Sequence, residues 1–445
     1  MSVRVPSRAV PVGLAGWAVV WFAVMAWHGG LSWHFFVQGA QALPDADAPG
    51  GGLHLYAAAP VLQIGPVAFL VAEGLRVFGG RPDLFAAQVL GAAGGAYVLW
   101  QAGRLGRRRP MVAAVVFFVP VWMYLAVGSA HLDDVLALVG AVAALAAARA
   151  GKAGLAGLFL GLAVDAKPWA LGFAALLLVL PGVRAVLRGA VSAAAVVAAA
   201  WLPFFLADPR TDRVLHFTIA NTPLSALRAL GVTDARTPPW DRPAQAALGI
   251  ALGLLAVRRG RWPAVLLLAV AARIALDPGT NRYYAASAVV GALIWDLAGS
   301  TFVFPWWSAG AALVLFASRW LPLPPAAHGW LTLAYCLACP ATLFLPRRTH
   351  PAVLHEEPRD VGPAIREERC EDGPAVYEER CEAGPAAHEE RCEADPAAQE
   401  ERRQARPDVV VDEARGTGPT PARTRRAEQR IPRQRLQEDA AEADR

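Results

Sequence analysis

Apolar residues in this chain come in unbroken runs rather than at the three- and four-residue spacing of an amphipathic helix. Such runs occupy 10–27, 84–103, 111–127, 135–148, 154–164, 170–180, 190–206, 244–257, 262–276, 285–297, 304–318 and 326–345. A segment that is apolar on every side is stable only where all its neighbours are apolar, and a dozen of them predict a membrane-embedded bundle. The expected fold class is all-α: a polytopic transmembrane helical bundle of about twelve spans over residues 1–346. The run at 10–27 follows Arg4 and Arg8 as a signal peptide would, but its length and the runs behind it favour a first membrane helix.

Lysine and arginine orient the runs, because cytoplasmic loops carry an excess of both. Arg4 and Arg8, the cluster Arg104, Arg107, Arg108 and Arg109, then Arg149 with Lys152, Arg184 with Arg188, Arg258 with Arg259 and Arg261, and Arg347 with Arg348 mark one side. The loops at 28–59, 128–134, 207–242 and 277–284 fall on the other, and the first contains no lysine or arginine. The segment 60–78 breaks the alternation if it crosses, since the cluster at Arg107 would then face outward. It carries Gln63, Gly65, Pro66, Glu73 and Arg76 and reads as a re-entrant or interfacial helix. The expectation is a multi-pass plasma-membrane protein with both termini cytoplasmic.

Composition refines this picture. A net charge of +5 could indicate nucleic acid, but the basic residues sit in short clusters between apolar runs, a topology signal rather than a binding face. Of 37 acidic residues, 24 lie after Pro346, and of the other 13 only Asp296 is near a predicted cytoplasmic end. After Pro346 an eleven-residue unit repeats as REERCEDGPAV, YEERCEAGPAA and HEERCEADPAA, with degenerate copies extending it over about 355–409. Proline or glycine in each unit and low apolar content predict a disordered cytoplasmic tail over 347–445. Its cysteines at 370, 381 and 392 form no CxxC pair and no His-rich pair, so metal binding is the weaker reading there.

Four features of the predicted outer face carry candidate chemistry. The loop 28–59 and the segment returning from it offer His34, His54, Tyr56 and Gln63, which read either as interfacial anchors or as the wall of a cavity. The turn GSAHLDD brings His131, Asp133 and Asp134 to the start of an apolar run. There a carboxylate can cap a helix, or act as general base toward a hydroxyl nucleophile. DAKPW holds Lys167, one of two lysines in the chain, at a proline-broken junction. It either contacts phosphate or snorkels to the interface beside Asp165. DPGTNRYY contributes Asp277, Asn281, Arg282, Tyr283 and Tyr284, and the second large loop contributes Arg210, Arg213, His216 and Asn221.

In the order of these parts the chain resembles the multi-spanning GT-C glycosyltransferases, with the likeness running from Val10 to about Leu345. It rests on a long first outer loop, the LYAAAPVLQIGP re-entry, the Asp133–Asp134 turn, the Lys167–Pro168 break and the late Arg-Tyr-Tyr turn. The resemblance implies transfer of a sugar from a polyprenyl-phosphate donor to a glycan or lipid acceptor of the cell envelope, at the extracytoplasmic face. Asp134, Asp133 or His34 would be catalytic, and Lys167, Arg282, Tyr283, His54, Tyr56, Gln63 and His131 would bind substrate. No cofactor is implied, and a divalent cation is possible but not indicated. One departure stands out: family members carry an acidic residue soon after the first helix, where this chain reads GGLSWHFF and has no carboxylate before Asp45 and Asp47. The base is then His34, Asp45 or Asp47 reaching back, or Asp134. A transporter or flippase of a lipid-linked sugar, and a non-catalytic membrane scaffold, are the competing classes.

Overall fold

The computed structural model describes residues 9–106 and 108–346, which are helical with no β-strand; a single isolated bridge pairs Ala220 with Arg236. The repeat-bearing tail predicted to be disordered lies outside the described residues. Among them, two helices are long and apolar enough to cross a membrane, Pro110–Gly128 and Val183–Ala207. Several of the other apolar runs are divided by proline or by changes of helical type. Pro168 ends one helix at Ala166 and starts a 3₁₀ segment, Pro168–Val179. The stretches 124–128, 295–299 and 311–316 are π-helical turns.

Three consecutive helices pack most closely on one another, α7 (Leu132–Arg149), α8 (Ala153–Ala166) and α9 (Val183–Ala207), with α7 buried and α9 at the periphery. Glycine explains how closely they pack. A Cβ on Gly140 would meet the Phe159 carbonyl of α8 at 3.0 Å, one on Gly157 the Gly189 carbonyl of α9 at 2.1 Å, and one on Gly161 the Ala193 carbonyl at 2.8 Å. Small residues four apart, as in Gly157-Leu-Phe-Leu-Gly161, let backbones touch where no water is left to expel. The 3₁₀ segment after α8 rises about 2.0 Å per residue against 1.5 Å for an α-helix, so its twelve residues reach ~24 Å instead of ~18 Å.

The loop 28–59 folds back onto these helices. It contains α2 (Trp33–Ala42) and a short turn of helix, Leu55–Ala58, then re-enters through α4 (Pro66–Leu75). At ten residues, α4 is ~15 Å long, half a hydrocarbon core. Its N-terminus is seated on the end of α8. Gly65 N–H donates to the Ala166 carbonyl at 3.1 Å, and Val67 N–H donates to the Asp165 carboxylate at 3.0 Å. A Cβ on Gly65 would lie 1.4 Å from the Asp165 carbonyl oxygen, so only glycine permits this approach.

Two further pairs complete the description: α5 (Arg81–Leu105), which packs on α7, and α12 (Val265–Leu276), which packs on α13 (Ala285–Ile294). Two chemically different ends result. At one, Arg149 lies over the Trp262 ring, Arg259 over Phe344, and Arg261 donates to the carbonyls of Thr342 and Leu345. The other end gathers the start of α7, the ends of α8, α9 and α12, and the start of α13.

Candidate functional site

The turn before α7 is built by a departure from regular helix. The π-helical turn 124–128 closes with Ser129 N–H on the Tyr124 carbonyl, and Ala130 then adopts φ +47°, the one positive φ outside glycine among the described residues. An alanine in the left-handed region costs about 1–2 kcal/mol and persists where surrounding packing fixes it. That kink makes His131 the residue preceding α7 and places Asp133 and Asp134 in its first turn, with the capping position held by His131 rather than by Asp133.

Both carboxylates are buried, Asp133 at 0% and Asp134 at 3% exposure. Asp133 is fully engaged: Oδ1 accepts the Asp134 N–H at 2.8 Å and Oδ2 accepts Lys167 Nζ. Asp134 Oδ1 accepts the Trp169 indole N–H at 2.9 Å, while Oδ2 lies 3.1 Å from His131 Nε2 and 4.0 Å from Lys167 Nζ without a well-aligned donor. The His131 ring packs 4.1 Å from Tyr283 and 5.9 Å from Phe36 of α2, centroid to centroid. Lys167 is the member that reaches solvent, with 16% of its side chain exposed. The proline break after Ala166 explains how a lysine from α8 meets two aspartates from α7: the chain turns extended at Lys167, with φ −147° and ψ +111°, and the side chain crosses to the neighbouring helix end.

A second cation completes the cluster, and it was not among the residues singled out in the sequence. Arg273, near the end of α12, is 4% exposed. Its guanidinium is held between the Trp169 and Tyr284 rings at 4.2 and 4.3 Å, with Nε 3.6 Å from the Asp277 carboxylate. Nε and Nη1 make no hydrogen bond. Burial raises the Asp277 carboxyl above its ordinary range, opposed by Arg273 and by the Gly279 N–H at 2.6 Å. An arginine inside an apolar run is a functional-site signal by default. The sequence hides it, because VLLLAVAARIAL has the composition of a single apolar span and arginine elsewhere in the chain marks topology.

The remaining candidates are placed elsewhere. Arg282 lies over the Trp320 ring, so the guanidinium joining this cluster is that of Arg273. His34 is exposed on α2, stacked on Phe35, on a different side of the helix from Phe36. Tyr56 is fully buried against Trp201, Phe204 and Phe69, its hydroxyl donating to the Ile64 carbonyl at 2.7 Å, an arrangement that fixes the re-entrant strand of chain. Gln63 Oε1 accepts from Arg242 at 2.6 Å, and His54 Nδ1 lies 3.3 Å from Asp208. Arg210 is paired with Asp208, and Asn221 donates to the Val232 and Asp234 carbonyls, so both organise the second outer loop.

The chain matches no protein-family model, no curated protein and no solved structure. The site's chemistry therefore has to be read from its own atoms. His131, Asp133 and Asp134 each offer a ligand atom within 4.8 Å of the others, the spacing of a metal site. Lys167 is already seated on Asp133 and supplies the positive charge that a divalent ion would bring. What the arrangement offers directly is a carboxylate oxygen on Asp134 with only His131 Nε2 close by, at 3.1 Å, and a guanidinium with free donors, near one partly exposed lysine.

Proposed function

We propose that this chain is a multi-pass membrane glycosyltransferase of about twelve spans that moves a sugar from a polyprenyl-phosphate donor to a cell-envelope acceptor at the extracytoplasmic face. The observation that carries the reading is the gathering, in one buried cluster, of Asp134, whose Oδ2 has His131 Nε2 at 3.1 Å and no well-aligned donor, with the cations Lys167 and Arg273. A glycosyl phosphate breaks at its anomeric bond and leaves negative charge on phosphate oxygens, which fixed cations stabilise most strongly in a water-poor site. The acceptor hydroxyl needs a base of suitable geometry, and Asp134 has the oxygen that is not already committed. Asp133 holds Lys167 in place, and Arg273 takes the phosphate role first assigned to Arg282.

The membrane setting supports the same reading. Helix α9 turns Val183, Leu187, Val191, Leu202 and Leu206 outward, a surface suited to lipid rather than water. The basic clusters at the other end agree with a cytoplasmic orientation of that end.

The test is transfer of labelled sugar from polyprenyl-phosphate donors into membrane glycan by the full chain, compared with Asp134→Asn and Asp133→Asn at matched expression. Asp134→Asn is expected to lose about 10²–10⁴-fold in rate at normal protein level, as loss of a general base does. Full transfer by this variant removes Asp134 as the base. Failure of the wild type with every donor, together with movement of lipid-linked sugar across proteoliposomes, would replace the transferase with a flippase.

A further inference from the structure

A second site lies along the seam between α1 (Ala9–Ala26) and α5, and the transferase reading makes no use of it. At its outer end a cleft of about 580 Å³ is lined by His28, Trp33, His34, Gln38, Gln41 and Asp83. That cleft is lined by the loop after α1, by α2 and by the start of α5; further along α5 an apolar groove of about 430 Å³ is walled by Val19 and Phe22 of α1 and by Val89, Ala92 and Ala96 of α5, with Trp122 beneath. From Asp83 in the cleft to Ala96 in the groove is thirteen residues of one helix, ~20 Å of rise, comparable to one leaflet of a bilayer with its interface. Phe22, which lines the groove, meets edge to face at 6.2 Å with Phe85, two residues along α5 from Asp83 of the cleft.

Both parts are shaped by specific residues. Gly30, at φ +67°, lets the loop after α1 close against Leu84, whose Cδ1 would lie 2.4 Å from a Cβ there. The Trp122 indole lies against Gly95, and its N–H donates to the Gly91 carbonyl at 2.9 Å, so the ring turns only carbon toward the groove. Imidazoles and amides in the cleft both donate and accept, which suits hydroxyl groups. Among the described residues the lining holds no lysine or arginine and does hold Asp83, an environment unfavourable to a phosphate. Helix α2 stands between this cleft and the carboxylate cluster: Trp33, Phe36 and Ala40 are buried, Phe36 meets His131, and His34, Gln38 and Gln41 are exposed.

We infer that the α1–α5 seam binds one glycolipid, with a hydrocarbon chain in the groove and an uncharged, hydroxyl-rich headgroup, as in a glycosylated diacylglycerol, in the cleft. A cleft that carries imidazole, amide and carboxylate side chains among apolar ones, with a wholly apolar groove further along α5, suits an amphiphile. The site shares no residue with the His131–Asp134–Lys167 cluster and stands whether or not that cluster transfers sugar.

The test uses the full chain in detergent and native mass spectrometry with two added lipids, monoglucosyl diacylglycerol and phosphatidylglycerol. Wild type is expected to retain the glycolipid preferentially. Ala93→Phe with Ala96→Phe fills the groove from exposed positions and is expected to weaken retention by roughly tenfold or more. Gln38→Leu with Gln41→Leu is expected to abolish the preference over phosphatidylglycerol while a lipid still binds. Undiminished retention in the filled groove, or equal retention of phosphatidylglycerol by wild type, overturns the proposal. Because the readout is bound mass and not turnover, it is independent of the transfer assay.

Discussion

The two ends of the bundle handle charge in opposite ways. At the basic end, Arg149 and Arg259 rest on aromatic rings and Arg261 on backbone carbonyls at the end of the described chain, positions where a cation keeps water within reach. At the other end Asp133, Asp134, Asp165 and Arg273 are buried, and each depends on a partner drawn from a different helix or loop. Buried ions cost several kcal/mol each unless paired, so a protein that needed only orientation would have little use for this end. The contrast teaches that abundance of charge and cost of charge are separate: the basic end holds many cations near water, and the cluster holds a few ions that burial makes dependent on their partners.

Four perturbations test that contrast, in falling order of effect. Gly65→Val forces a side chain into the Asp165 carbonyl and is expected to unseat the re-entrant helix altogether. The readout is the fraction of extracted protein that elutes as a single species, and a normal elution profile would contradict the seating described. Lys167→Met leaves two buried carboxylates without their ammonium and is expected to destabilise by about 3–5 kcal/mol and abolish transfer. Lys167→Arg, which keeps the charge, should recover most of the stability but less of the activity, because a planar guanidinium does not replace an ammonium between two carboxylates. Denaturant titration of both variants separates charge from geometry.

At the basic end the expected effects are smaller. Arg261→Ala removes two hydrogen bonds to carbonyls and should cost about 1–2 kcal/mol with transfer per folded molecule unchanged. A loss of transfer as large as that of Lys167→Met would erase the distinction between the ends. The smallest effect belongs to the pair that the exposed Arg210 makes with the buried Asp208. Hydrogen bonds from Arg210 hold the Asp208 carboxyl below its ordinary range. A depressed folded pKa stabilises above the unfolded value near ~4 and ceases to do so as pH falls through the lower, folded one. The gap in thermal stability between wild type and Asp208→Asn should therefore be full at neutral pH and close below about pH 4.

Residues of this site differ in how legible they were. Asp133, Asp134 and Lys167 stood out because charged residues at the edges of apolar runs are costly and few, and the structure brings these three together with His131 and Tyr283. Arg273 is hidden by its own context, inside an apolar run, whereas Arg282 stands in a polar turn. Tyr56 and Gln63 lay in the right stretch, but composition could not tell a ligand contact from Tyr56's hydroxyl on Ile64 or Gln63's amide on Arg242. The division of apolar runs by 3₁₀ and π turns was equally out of reach, because those turns depend on packing against neighbours and leave no fixed spacing in the sequence.

What the sequence by itself determined is therefore the class of solvent each segment prefers. Runs of apolar residues require burial or lipid, glycine-rich α8 requires close neighbours, and Pro168 must end a helix, all consequences of local sterics and hydration. Which carboxylate is left with a free oxygen, and which guanidinium with free donors, was decided only in three dimensions. Hydrogen bonds are directional and are shared out among whatever helix ends happen to meet, so the difference between Asp133 and Asp134, adjacent and identical in the sequence, belongs to Lys167 and Trp169 across the helix boundary.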